Sequence, residues 1–151
     1  MEWMLMPLRR YADFSGRSRR MEFWMFQLLN FIVVAVLCIP ILSSVPWTAL
    51  SDPNALAADA TPGPMLWVGI GLLGIWSLAV LIPSIAVTVR RLHDRDMSGW
   101  WYLGLIVAQL IPFVGWIASI AFLVLMVLPG TPGENRFGPD PLGRADAEVF
   151  A

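Results

Sequence analysis

RRLHDRDMSGWW, residues 90–101, is a short polar island between two long apolar runs. It holds the only histidine of the chain, His93, and crowds Arg90, Arg91, Asp94, Arg95 and Asp96 around it before closing on Ser98, Gly99, Trp100 and Trp101. The surroundings make the island informative. The chain is 151 residues long, 58% hydrophobic and only 14% charged, with a mean hydropathy of +0.68 and eight tryptophans against two tyrosines. Such a composition belongs to a membrane class, and in lipid the backbone must satisfy its own hydrogen bonds, so the apolar runs on either side are expected as helices. The expected fold class is therefore all-α, a polytopic helical membrane protein.

Upstream of the island, residues 65–89 form an apolar run of about the length that crosses a hydrocarbon core of roughly 30 Å. Gly69, Gly71, Gly74, Ser77 and Ala79 are small enough to let another helix approach closely. Pro83 removes one helix hydrogen bond near the island, where a kink or local unwinding is expected, unless it is simply a proline tolerated within a membrane helix. A second such run covers residues 21–45, with Glu22, Gln27 and Asn30 on one side, a side that should face protein or headgroups. It exceeds an ordinary signal-peptide core and the small-residue site at Ala55-Leu56-Ala57 lies well beyond it, so an uncleaved anchor is expected. Residues 46–64 between the two spans carry Asp52 and Asp59 and no arginine or lysine, which places that loop outside by the positive-inside rule. A basic cluster precedes the first span at Arg17, Arg19 and Arg20, placing the N-terminus and the island in the cytoplasm. Before it, Trp3 to Leu8 with Arg9 and Arg10 form either a short amphipathic piece on the headgroups or a frayed tail.

Downstream of the island the apolar run reaches residue 128. As a single helix it would be about 43 Å long, too long to stand upright in the core. Pro112 and Gly115 break it, and a hairpin of two short segments, 100–111 and 116–128, is expected, for four membrane segments in all; one steeply tilted third span is the alternative. The tail begins with a dense set of turn residues from Pro129 to Pro141, in which Thr131-Pro132-Gly133-Glu134 suits a type II turn around Asn135, Arg136 and Phe137. One membrane domain is expected over 1–142, with 143–151 disordered.

Three stretches together carry a resemblance: YADFSGRSRRMEFWMF at 11–26, PSIAVTVRRLHDRDMSGWW at 83–101 and LPGTPGENRFGPDP at 128–141. In this order they resemble the bacterial domain of unknown function family numbered 805, small inner-membrane proteins, over roughly residues 3 to 142. The resemblance implies a location in the inner membrane and a helical fold, and no established activity. The loop at 46–64 is longer than the family leads one to expect.

Function has to be sought at the polar motifs. His93 beside Asp94 can be written as a base and its orienting carboxylate, but sequence neighbours rarely point at each other and no Gly-x-Ser-x-Gly nucleophile accompanies them. A lone histidine with aspartates does not make a metal site. No catalytic, cofactor or metal residues are therefore assigned, and an enzyme is not expected. The candidate site is instead one cytoplasmic-face cluster of Arg17, Arg19, Arg20, Glu22, Arg90, Arg91, His93, Asp94, Ser98, Gly99, Trp100, Asn135 and Arg136. It serves either as an internal lock or as a site for an anionic group, most simply a lipid phosphate, which the planar guanidinium fork matches. The expected partners are the lipid bilayer and either an anionic phospholipid or another membrane protein, with no nucleic acid. The protein is expected to be structural, partner-docking or lipid-binding; a small transporter or channel subunit is the alternative, disfavoured because the deep positions of the spans are almost wholly apolar.

Overall fold

A computed structural model describes residues 2–45 and 63–143. The expected outer loop, up to residue 62, and the tail beyond residue 143 lie outside these. Among the described residues the chain is helical, with no strand beyond an isolated bridge between Asn135 and Gly138. The helices are α1 (Glu2–Arg9), α2 (Arg20–Leu37), α3 (Ile39–Ser43), α4 (Pro64–His93), α5 (Trp100–Gln109) and α6 (Val114–Val127). The chain divides into two compact units, Leu29–Val80 and the remainder.

The Leu29–Val80 unit holds the end of α2, α3 and the first half of α4. The run expected as a span over 21–45 is helical to Ser43: Pro40 cannot donate an amide, but Cys38, between α2 and α3, keeps a helical backbone, donates to the Val34 carbonyl at 2.9 Å and accepts from the Leu42 amide at 2.9 Å. The hydroxyls of Ser43 and Ser44 then both donate to the Pro40 carbonyl, at 2.8 and 2.7 Å. α2 with α3, and α4, are each long and apolar enough to cross a membrane. Only 6% of the most apolar stretch of either is buried, the reverse of a soluble core helix. Phe31 and Leu78 are each 72% exposed.

The other unit holds α1, the start of α2, the end of α4, the α5–α6 hairpin and the tail. Pro83 is fully buried and α4 runs through it without a break, so the expected local unwinding does not interrupt the helix; the missing amide costs α4 the bond that the Ala79 carbonyl would have received. α4 also extends into the island, making Arg90, Arg91 and His93 its last turn. It ends in a Schellman arrangement, with Met97 N donating to Leu92 O and Asp96 N to His93 O, each at 3.0 Å, and Asp96 taking the left-handed conformation at φ 58°. After the island, α5 and α6 pack against each other as two helices, with the chain turning back over residues 110–113; one continuous third helix does not form. At about 15 and 21 Å both are shorter than a hydrocarbon core. An aromatic chain from Phe23 of α2 through Phe122 of α6 to Tyr102 of α5, with centroids 6.4 and 6.0 Å apart, ties the hairpin to the start of α2. Phe26 and Met126 are fully buried in the same unit.

Candidate functional site

The interior of this unit holds charged side chains beside its apolar ones. Arg17, Ser18, Glu22, Arg90, Arg91 and Asp94 are all buried, and Arg90 and Arg91 are the largest fully buried side chains. Burying a guanidinium without a counter-charge is prohibitive, so the fold has to supply one for each. Helix geometry does part of this. The last turn of α4 presents Arg90 and Arg91 while the first turn of α2 presents Glu22, and Arg90 meets Glu22 at 2.9 Å. That contact is an ion pair without the alignment of a hydrogen bond. Ser18 completes the corner: its amide donates to the Arg90 carbonyl at 3.1 Å and its hydroxyl to Glu22 Oε2 at 2.8 Å.

Asp94, one residue past α4, is the second pivot. Its carboxylate accepts from Arg17 Nε at 3.0 Å on one oxygen and pairs with Arg91 Nη1 on the other. Arg91 also donates to the Leu128 carbonyl, and the Asp94 carbonyl receives the Thr131 amide at 2.9 Å. Gly130 lies against this carboxylate so closely that any Cβ there would overlap it. Arg17 then gathers the tail, donating to the carbonyls of Gly133 at 2.6 Å and Thr131 at 2.5 Å, with Asp140 at 3.9 Å. Gly133 takes φ 72°, the positive angle its place in the expected turn required. Three guanidiniums, Arg17, Arg90 and Arg91, thus face three carboxylates, Glu22, Asp94 and Asp140. The buried set is electrically balanced.

His93 and the tail form the next layer. Asn135 donates to the His93 carbonyl at 2.9 Å, and its Oδ1 accepts the Phe137 amide at 2.9 Å. The Phe137 ring stacks on the imidazole at 3.8 Å with a 4° interplanar angle. His93 Nδ1 lies 3.3 Å from the Gly16 carbonyl, which can only accept, so Nδ1 carries the proton. His93 and Asp94 turn to different partners and make no pair. Arg136 closes the rim, pairing with the Asp96 carboxylate at 3.1 Å while lying over Phe137.

The structure therefore joins Arg17, Glu22, Arg90, Arg91, His93, Asp94 and Asn135 in one network, with Arg136 at its edge. It sets the other candidates apart. Arg19 lies over the Trp3 ring of α1, and Arg20 donates to the Val127 carbonyl at 3.3 Å. Ser98, Gly99 and Trp100 start α5 and line an apolar cavity that they share with His93. Ser18, Gly130 and Thr131 lie inside the stretches 11–26 and 128–141 but are not among the candidate site residues, and the backbone carbonyls of 128, 131 and 133 leave no mark in residue type. Beside the network, Arg10 and Asp13 pair at 2.6 Å, and hydrogen bonds from Ser15 and then Arg10 hold the Asp13 carboxyl at about 2. Among the described residues no group of three His, Cys, Asp or Glu could hold a metal ion.

Apolar helices with bare flanks, together with a buried, charge-balanced arginine network, define a membrane-type helical protein. The chain belongs to the family described as "Protein of unknown function (DUF805)", whose pattern matches residues 11–139. It is 42% identical over 142 residues to Inner membrane protein YhaH of Escherichia coli (strain K12), covering 93% of this chain and 97% of that protein. It is 38% identical over 142 residues to Inner membrane protein YhaI of the same organism, covering 93% and 96%. No solved structure matches it.

Proposed function

We propose that the protein is an integral inner-membrane protein with four membrane segments and both termini in the cytoplasm, whose polar end docks on anionic phospholipid headgroups. The observation that carries this reading is the division among the arginines. Arg17, Arg90 and Arg91 are spent on Glu22, Asp94 and Asp140 inside the cap, whereas Arg9, Arg19, Arg20 and Arg95 have no carboxylate partner among the described residues. The inner set holds the cap in one shape and carries no net charge for a ligand. In the outer set Arg9 ends the amphipathic α1 and Arg19 lies over its Trp3, and these cations suit lipid phosphates, each arginine near such a surface contributing on the order of 1 kcal/mol. The bare α5 and α6 and the names of the E. coli relatives support the membrane setting.

The test is the thermal midpoint of the purified protein in nanodiscs of neutral lipid and then of mixed neutral and anionic lipid, at low and high salt. Anionic lipid should raise the midpoint and salt should erase the gain. A variant with Arg19→Gln, Arg20→Gln and Arg95→Gln, measured against its own neutral-lipid midpoint, should lose the gain. A midpoint indifferent to lipid charge would leave the cap as a lock alone.

A further inference from the structure

A groove of about 530 Å³, within the range of small-molecule sites, runs from the island between α4 and α5 and is open on the side where Trp100 and Leu103 are exposed. Its long walls are Ile85 and Val89 on α4 and Leu103 and Ile106 on α5. Ile85, Val89 and His93 follow the four-residue spacing of one helix face, so the cavity extends roughly 12 Å along α4 from the imidazole. No charged side chain lines it. A phosphate headgroup there would find no counter-charge, so the occupant has an uncharged head.

The imidazole specifies what that head must offer. Nδ1 is committed to the Gly16 carbonyl and one ring face to Phe137. Nε2 lies on the Gly99 side, 3.6 Å from where a Cβ on Gly99 would stand, and has no hydrogen-bond partner among the described residues. With the proton on Nδ1, the neutral ring presents Nε2 as a lone-pair acceptor. The head therefore needs a donor. Around it stand the rings of Phe14, Trp100 and Tyr102 with the hydroxyl-bearing Ser98, a setting for a flat aromatic ring and not for a glycerol.

We propose that this cavity binds a membrane-soluble quinol, one ring hydroxyl donating to His93 Nε2, the ring lying among Phe14, Trp100 and Tyr102, and the apolar tail running along Ile85, Val89, Leu103 and Ile106. The site is separate from the rim arginines and does not depend on their role. The oxidised quinone has carbonyls only, which would face the Nε2 lone pair without a proton between them.

The test is titration calorimetry on the full chain in neutral nanodiscs under anaerobic conditions, with a decyl-benzoquinol, the matching decyl-benzoquinone and a diacylglycerol as probes. The wild type should bind the quinol about tenfold more tightly than the quinone, the worth of one buried hydrogen bond. His93→Asn, whose amide can still donate to the Gly16 carbonyl, should bring the two forms together. Ile106→Trp, which fills the tail end of the cavity, should weaken both. Equal binding of quinol and quinone by the wild type, a redox preference that survives His93→Asn, or diacylglycerol binding as tight as the quinol would each overturn the proposal. The wild-type comparison alone decides it if either variant fails to fold.

Discussion

Arg17 holds more of the cap together than any other side chain, joining the segment before α2 to Asp94 and to three stations of the tail. Its fixed planar fork is what lets one residue serve a carboxylate and two carbonyls in different directions. Arg17→Ala leaves the buried Asp94 with Arg91 alone and takes the donor from the Gly133 and Thr131 carbonyls, and should cost on the order of 3 kcal/mol, seen as a lowered thermal midpoint in detergent. Arg17→Lys keeps the charge but not the fork and should recover only part of it. Asp13 makes a milder case. Its folded-state pKa of about 2 lies below the ordinary carboxylate value, so the order it lends to residues 10–15 is present above the unfolded pKa and is lost as pH falls towards 2. A carbon-shift titration of Asp13 should give that low midpoint in the wild type and a higher one in Arg10→Ala. At this scale the sequence was half legible: the arginines stood out because a chain so apolar carries few charges, whereas their carbonyl partners leave no trace in residue type.

Helix α4 shows what an element can and cannot announce. Its apolar run marked the span, but its true end lies inside the polar island, because Arg90 and Arg91 are neutralised within the fold and the helix has no reason to stop at the first charge. The stop is made by Asp96 at φ 58°, a conformation that glycine accepts freely and a β-carbon resists. Asp96→Gly should therefore be more stable than Asp96→Ala by about 1 kcal/mol, a difference that cancels the shared loss of the exposed Arg136 pair. Gly133→Ala should lose roughly 1–2 kcal/mol for the same reason, measured by the same thermal scan. The hairpin after the island was legible from Pro112 and Gly115 because too long an apolar run has to be broken somewhere, whereas Pro40 sits in a continuous run that stays helical to Ser43.

Across the described residues, apolar side chains are bare along the helices, and the two largest fully buried side chains are arginines. The proposed topology follows from arginine asymmetry and can be read in intact cells. In a Cys38→Ser background, Asp52→Cys should react with an impermeant thiol reagent and Arg95→Cys should not, and a cytoplasm-dependent reporter fused after Ala151 should be active. The opposite labelling pattern would invert the topology. The central claim is narrower: motifs far apart in sequence are bound by buried charge pairing. A double-mutant cycle on Glu22→Gln and Arg90→Met, with unfolding free energies measured in detergent, addresses it directly. Each single variant leaves a buried group alone, whereas the double removes both, so the double should cost well under the sum of the singles, with a coupling above about 1.5 kcal/mol. Additive losses would mean that Glu22 and Arg90 act independently, and the lock would not be what holds the cap.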